Sequence, residues 1–144
     1  MMAAAVSDFR PVRVALGKVS RRPSLTLALR AVPDIVGRLP RRKGQVVVGF
    51  AVETGNVLAR ATEKLRAKRL DLLVAQRVSG HGAPFGRRPI QAWVISRDGS
   101  IMRLGRTTKA AVARLVVKRA EALWRDANSG RPHRMVRCGG VAKW

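Results

Sequence analysis

Residues 46–75 read VVVGFAVETGNVLARATEKLRAKRLDLLVA. An apolar run over residues 45–50 is followed, after Gly55, by a helical period and then by a second short apolar run at residues 71–75. Strand, helix and strand within about 30 residues have the length of a βαβ unit, whose two strands are parallel neighbours. The first run is continuously apolar, which is typical of a strand covered on both faces. This stretch therefore predicts an α/β sheet.

Further elements are predicted on the amino-terminal side of this unit. Residues 3–7 form a short apolar run, which predicts a buried strand. Residues 24–30 alternate between leucine and other residues, which predicts a half-buried strand. Pro33 stands where a short helix can begin, and Pro40 ends it.

The carboxyl-terminal side predicts a hairpin and a long helix. Residues 90–96 and 101–104 are apolar runs around a turn, and residues 108–127 have the apolar stripe of an amphipathic helix. Residues 128–144 lose all periodicity, so we expect one domain over residues 1–127 followed by a basic flexible tail. Because a core strand is expected in the first residues, we expect the sheet to be incomplete, without the strand and helix with which a doubly wound fold usually begins.

Composition narrows the class of protein. The chain has 144 residues and is 47% hydrophobic, which is enough for a core and excludes a protamine-like polycation. No apolar stretch approaches the roughly 18 residues of a membrane-spanning helix, and no positively charged segment precedes the first apolar run. The single cysteine, Cys138, excludes a disulfide framework and a dedicated zinc site. We therefore expect a cytoplasmic protein with no membrane partner.

The formal net charge of +22 favours a polyanionic partner, which is a nucleic acid, a membrane surface or a phosphorylated small molecule. Arginine supplies most of the cations, and its guanidinium group binds phosphate oxygens in pairs. The alternative is that base composition favours arginine codons on solvated faces. The charge alone leaves both interpretations open.

Several enzyme classes find no support. The two histidines, His81 and His133, have no nucleophile motif around them, so protease and esterase chemistry are not indicated. The chain contains no phosphate-binding loop of the GxxxxGK[ST] type. Its 8 acids include no adjacent carboxylate pair for glycoside hydrolysis.

Three features are candidate parts of a binding site. Asn56, Arg60, Lys64 and Lys68 recur every four residues along one helix. Consecutive cations at this spacing repel each other by about 0.2–0.5 kcal/mol per pair. Either the stripe faces a bound anion, or it is a solvated helix face on which Glu63 relieves the repulsion.

The other two features lie at the ends of predicted elements. Asp8 and Phe50 end predicted strands, where parallel sheets bind ligands. The Pro33–Val36 segment would place backbone amides at a helix start, where phosphate groups bind.

Taken together, these segments resemble the phosphopantothenate–cysteine ligase family, which in many bacteria is the carboxyl-terminal half of the bifunctional coenzyme A biosynthesis flavoprotein. The segments that carry the resemblance are AAAVSDFRP (3–11), KVSR (18–21), VPDIV (32–36), VVVGFAVETGN (46–56), EKLRAKRLDLLVA (63–75) and VS (78–79). The resemblance implies a Rossmann-like fold and a dimer. It also implies that CTP activates the carboxylate of 4′-phosphopantothenate as an acyl-cytidylate, which the amine of cysteine attacks.

The resemblance also implies roles for individual residues. Nucleotide contacts fall on Asp8, Lys18, Pro33, Asp34, Ile35, Val36, Phe50, Lys64 and Lys68. Lys18 is in addition the catalytic cation that stabilises charge at the reacting carboxylate and the α-phosphate. Positive charge around a Mg²⁺-bound triphosphate acts by electrostatic stabilisation. No residue is assigned to the metal, and the chain includes no FMN site.

The chain departs from the family pattern in several places. Ser20 and Arg21 stand where lysine is usual, and Gln76–Arg77 replaces Asn-Asp. Arg87 and Arg88 occupy a segment that is otherwise acidic and rich in asparagine. The first strands of the family and its Asn-Ser-Ser-Gly-type loop are absent, so we expect a partial Rossmann-like sheet with a hairpin and a C-terminal helix.

Three hypotheses about function follow. The first is CTP-dependent ligation of phosphopantothenate to cysteine, in a homodimer or with a partner that supplies the missing half. The alternative is a non-enzymatic basic protein that binds nucleic acid. The third is an inactive fragment whose upstream segment was lost.

Overall fold

A computed structural model describes residues 6–78 and 86–129. The chain divides into two compact units, which are residues 1–39 (unit 1) and residues 40–144 (unit 2). Unit 2 contains the larger sheet and its core.

Unit 1 is built on a two-stranded ribbon. Strand β1 (Phe9–Pro11) pairs antiparallel with β2 (Leu29–Ala31). The backbone N–H of Val32 extends this ladder by donating to the carbonyl of Asp8 at 2.9 Å. Helix α1 (Ile35–Arg38) follows, and Pro40 comes two residues after its end because proline cannot continue a helix.

The half-buried strand predicted over residues 24–30 is wrong. Only Leu29 and Arg30 of this range belong to β2, and the three alternating leucines are 54–60% exposed. Alternation identifies a face that can be buried, but a two-stranded ribbon offers no second layer to cover it. The buried strand predicted over residues 3–7 falls mostly outside the described residues, and Val6 and Ser7 are exposed and belong to no strand.

Unit 2 contains a four-stranded mixed sheet with the strand order β3-β4-β5-β6. Strands β3 and β4 are parallel, whereas β5 and β6 continue antiparallel. This arrangement confirms the predicted βαβ unit and the predicted hairpin. The element bounds are β3 Val48–Glu53, α2 Val57–Ala67, β4 Leu72–Arg77, β5 Ile90–Ser96, β6 Ile101–Thr107 and α3 Lys109–Asn128.

The two faces of this sheet are covered by different helices. Val74 and Val94 pack against Val112 and Val116 of α3, which forms one core cluster. Helix α2 lies on the opposite face and buries Val57, Ala61 and Leu65. A Cβ on Gly49 of β3 would lie 2.5 Å from Cδ1 of Leu70 and 3.0 Å from Cδ1 of Leu73, so a larger residue there would force these two buried leucines to shift.

The expectation that residues 45–50 form a strand covered on both faces is also wrong. Strand β3 begins at Val48 and is an outer strand of the sheet. Phe50 lies within it, not at its end, and is 72% exposed, while Val52 is 54% exposed. Helix α3 packs against β5 and β6, and Val48 at the start of β3 still packs against the core cluster, whereas Phe50 and Val52 further along the strand are exposed.

The long helix predicted over residues 108–127 is confirmed, with Thr108 as its N-cap. The described residues of the chain include no helix that is long and apolar enough to cross a membrane. The predicted basic tail lies outside the described residues from position 130 onward, and the division at residue 127 stays a prediction.

Candidate functional site

The site residues predicted in the amino-terminal part all belong to unit 1. Asp8 and Lys18 are exposed, and Lys18 lies in a segment without helix or strand. The hydrogen bond from Val32 N–H to the Asp8 carbonyl brings the start of β1 next to the segment that leads into α1. The structure therefore brings Asp8 close to the Pro33–Val36 turn, although the sequence separates them by more than twenty residues.

Helix α1 has four residues, and Asp34 is its N-cap. The Oδ1 atom of Asp34 accepts a hydrogen bond from the backbone N–H of Gly37 at 3.1 Å. This cap satisfies one of the amides that the sequence offered to a phosphate group. The role of Pro33, Ile35 and Val36 in binding a nucleotide stays a prediction.

In unit 2, an ion pair links Lys64 on α2 to Glu53 at the end of β3. Their Nζ and Oε1 atoms are 2.5 Å apart, and the Glu53 side chain is 3% exposed whereas that of Lys64 is 48% exposed. A buried carboxylate needs a partner, and Lys64 provides it. The partner of Lys64 is thus Glu53, a residue of the neighbouring strand, and not Glu63 on its own helix.

Two further members of the basic stripe, Asn56 and Lys68, are the caps of α2. Asn56 is the N-cap of α2, and its Oδ1 accepts from Ala59 N–H at 3.3 Å. Lys68 is the C-cap, and its backbone N–H donates to the carbonyl of Lys64 at 3.0 Å. The stripe with a period of four therefore begins and ends at the two caps of α2.

The structure does not place Phe50 on the same face as Lys64. Phe50 is paired with Val74, which belongs to the core cluster under α3. Glu53 lies three residues further along the strand and contacts α2 on the other face. Side chains along a strand alternate between faces, so an odd spacing separates them. Phe50 and Lys64 lie on opposite sides of the sheet.

Arg41 is a structural residue that the sequence analysis did not single out. Its Nη2 atom donates to the carbonyls of Lys68 and Arg69, both at 2.7 Å. These carbonyls follow the last turn of α2, where backbone acceptors lack helical partners. Arg41 thus holds the loop before β3 against the end of α2. The basic run at residues 41–43 was the only available sign of this contact.

Asp71 is a second residue of this kind. Its Oδ2 atom accepts from Val47 N–H at 2.7 Å, and its Oδ1 atom lies 2.9 Å from Nη2 of Arg97. Asp71 is 8% exposed and joins the approach to β3, the start of β4 and the hairpin turn. An acid directly before a buried strand is the sequence signal that could have identified it.

The described residues contain no group of three or more His, Cys, Asp or Glu side chains that could hold a metal ion. In unit 2, these contacts give a basic surface whose most buried acids, Glu53 and Asp71, both have cationic partners. Such a surface can bind an anion by charge and by guanidinium or ammonium donors.

Comparison with known proteins gives consistent matches. A family model described as the DNA/pantothenate metabolism flavoprotein C-terminal domain matches residues 1–123. The coenzyme A biosynthesis bifunctional protein CoaBC of Bacillus subtilis (strain 168) is 36% identical over 122 residues, which are 83% of this chain and 30% of that protein. A cysteine/cysteine sulfinic acid decarboxylase from an unknown prokaryotic organism is 32% identical over 122 residues, covering 83% of this chain and 34% of its own length.

A solved structure shows the same architecture. The crystal structure of the C-terminal domain of the coenzyme A biosynthesis bifunctional protein CoaBC aligns with a TM-score of 0.63 and 31% identity. The alignment covers 85% of this chain and 53% of that domain. The chain spans about a third of the length of the two protein relatives and about half of the solved domain.

Proposed function

Because the chain belongs to the DNA/pantothenate metabolism flavoprotein C-terminal domain family, we propose that it acts in coenzyme A biosynthesis as part of a phosphopantothenate–cysteine ligase. The observation that carries this proposal is the 36% identity to the bifunctional coenzyme A biosynthesis protein of Bacillus subtilis over 83% of the chain. The 31% identity to the solved C-terminal domain of a protein of the same name also supports it.

The proposed reaction has two steps. The carboxylate of 4′-phosphopantothenate attacks the α-phosphate of CTP, which releases pyrophosphate and forms an acyl-cytidylate. The amine of cysteine then attacks the acyl carbon, the C–O bond to CMP breaks, and an amide is left. Both steps develop negative charge on phosphate oxygens, which nearby cations stabilise.

Lys18 is the residue to which we assign this stabilisation, and it is solvent-exposed, so its ammonium group is accessible to a ligand. Asp8, Pro33, Asp34, Ile35, Phe50 and Lys64 are exposed as well, and Val36 and Lys68 are partly exposed. Lys64 already has a counter-charge in Glu53, so a nucleotide phosphate would compete with that carboxylate. Mg²⁺ would enter with the triphosphate and contribute further positive charge.

We also propose that polypeptide outside these 144 residues, either a second copy or a complementing segment, completes the domain along the outer edge of β3. Within residues 6–78 and 86–129, no strand pairs with this edge. Phe50 and Val52 project from the same strand and are 72% and 54% exposed. An open edge beside exposed apolar side chains is the kind of surface that accepts an added strand.

The test is an assay of the purified chain with CTP, Mg²⁺, 4′-phosphopantothenate and cysteine, which measures pyrophosphate and CMP. We expect pyrophosphate release that requires phosphopantothenate and is lost in Lys18→Ala, whereas Arg13→Ala, an exposed cation in the same unit, keeps it. CTP at a hundredfold excess over its Kd should stabilise the fold by about 2.7 kcal/mol. Absence of pyrophosphate together with absence of this stabilisation contradicts the proposal.

The basic composition makes nucleic-acid binding the second candidate, since the net charge is +22. This function predicts binding to RNA or DNA that weakens steeply with salt and is retained in Lys18→Ala and Lys64→Ala. Loss of catalytic turnover together with retention of such binding would favour it over the ligase.

A further inference from the structure

A row of polar side chains crosses the sheet of unit 2 at the end where β3 and β4 finish. The pairing of the strands places Glu53 beside Arg77, Arg77 beside Gln91, and Gln91 beside Arg106. Residues paired across neighbouring strands point to the same face. This is the face covered by α2, because Glu53 contacts Lys64 there.

The charges in this row do not balance. Glu53 is its only acid, and that carboxylate is buried and paired with Lys64. Arg77 and Arg106 are both exposed, with the partly buried Gln91 between them. Strands are spaced by about 4.8 Å, so the two arginine Cα atoms lie about 10 Å apart. The side chains of both can reach a group bound over Gln91.

Neighbouring parts of the fold add positive charge instead of relieving it. Nη2 of Arg77 donates to the carbonyl of Gly55 at 3.1 Å, directly before the N-cap of α2. The amino-terminal end of a helix is electrically positive, so this hydrogen bond holds the guanidinium beside a second source of positive charge. Arg87 and Arg88 are exposed and precede β5, whose start lies beside the end of β4.

We propose that Arg77, Gln91 and Arg106 form a binding site for a phosphate monoester of a small molecule. A guanidinium group donates two parallel hydrogen bonds to phosphate oxygens, and the Gln91 amide donates a further one. The proposal deepens the proposed ligation and rests on it, because 4′-phosphopantothenate is itself a phosphate monoester of a small molecule. None of the residues that the resemblance assigns to the nucleotide belongs to this row.

The shape of the row favours a small ligand over a nucleic acid. Binding of single strands combines positive charge with exposed aromatic side chains on which bases stack. Trp93 is the aromatic residue in the next row of the same face, and it is 7% exposed. Within the described residues of this face, the arginines therefore offer charge and hydrogen bonds without an exposed aromatic side chain beside them.

The test is an NMR titration of the full chain at constant ionic strength, with inorganic phosphate and glycerol 3-phosphate as separate probes. We expect saturable shifts at the amides of residues 77, 91 and 106 with both probes. If glycerol 3-phosphate binds more tightly than inorganic phosphate, the site recognises the organic part of a monoester as well as its phosphate group. If the two probes bind equally, the site recognises the phosphate group alone. A single-stranded RNA that shifts these amides at lower concentration than either probe overturns the proposal.

Three variants complete the experiment. Arg77→Gln and Arg106→Gln should each weaken binding about tenfold, which is the loss expected for one charged hydrogen-bonding partner. Arg125→Gln removes the same charge from α3 and should leave binding unchanged. Unchanged core amides show that each variant is folded. An equal loss in Arg125→Gln, or full binding in Arg106→Gln, contradicts the site.

Discussion

The carboxylate of Glu53, at the end of β3, lies 2.5 Å from the ammonium group of Lys64 on α2. The two residues are eleven positions apart in the chain and meet because α2 packs back across the strand that precedes it. Glu53 is almost completely buried and Lys64 is half exposed. The pair therefore satisfies a buried charge and fixes α2 on the sheet.

Replacing Lys64 with alanine should destabilise unit 2. The change leaves the Glu53 carboxylate buried without its partner, which costs about 1–3 kcal/mol. Urea unfolding followed by circular dichroism measures this loss. Arg60→Ala, an exposed cation on the same helix, should change the free energy of unfolding by less than about 0.5 kcal/mol. Equal losses in the two variants would show that the ion pair contributes nothing.

The same pair can be tested by a double-mutant cycle. Glu53→Gln in the Lys64→Ala background removes the stranded charge and should restore part of the lost stability. We expect an interaction energy between the two sites of about 0.5–3 kcal/mol. Strict additivity of the two single changes would argue against a direct interaction.

Arg41→Ala should destabilise the junction between α2 and β4. The variant removes two hydrogen bonds of 2.7 Å to the carbonyls of Lys68 and Arg69, and charged hydrogen bonds of this kind contribute about 1.5–3 kcal/mol. Hydrogen exchange at the end of α2 and a urea melt report the effect. Arg42→Ala is the matched control, because Arg42 is exposed, and a loss of the same size there would refute the assignment.

Asp71→Ala should cost more than Asp71→Asn. Asparagine keeps an oxygen that can accept from Val47 N–H but loses the ion pair with Arg97, for a loss of about 1 kcal/mol. Alanine also leaves the Val47 amide unsatisfied, which adds about 1–3 kcal/mol. Thermal melts of both variants check this order. Glu121→Gln on α3 should be nearly neutral, and a reversed order of the Asp71 variants would contradict the contact.

Arg69→Gly should stabilise the protein. Arg69 has a φ of 50°, which is left-handed and unfavourable for a side chain with a Cβ, and glycine adopts it at no such cost. We expect a gain of about 0.5–1 kcal/mol in a urea melt. Arg66→Gly removes the same charge from the last turn of α2, where the backbone is helical, and should cost up to about 1 kcal/mol. Destabilisation by Arg69→Gly would contradict the prediction and show that the interactions of Arg69 outweigh the relief of its positive φ.

Local sequence patterns were sufficient to predict those helices and strands of unit 2 that follow one another in the chain and pack together. The stretch from Val46 to Ala75 predicted β3, α2 and β4 and their parallel pairing, and the Arg97–Ser100 turn predicted the hairpin. These predictions succeed because hydrophobic period and turn residues act over short distances. The same motifs were also specific enough to indicate the family, which the match over residues 1–123 confirms.

Sequence patterns gave wrong predictions where the burial of a strand depends on whether another part of the fold covers it. The leucines of residues 24–30 alternate as a half-buried strand would, yet only Leu29 joins the two-stranded ribbon and all three leucines are exposed. Phe50 ends a run that is typical of a central strand, yet β3 is an outer strand. Neither outcome is encoded in the segment itself, because the neighbours of a strand are chosen by the rest of the fold.

By itself, the sequence determined the α/β class, the βαβ unit, the hairpin, the long carboxyl-terminal helix and the family, since each follows from residues close together in the chain. Only the tertiary structure decided that Lys64 pairs with Glu53, that Arg41 closes the end of α2, and that Arg77, Gln91 and Arg106 form one row. These relationships depend on strand register and helix packing. They join residues that are distant in the chain, so no local sequence pattern indicates that these residues are in contact.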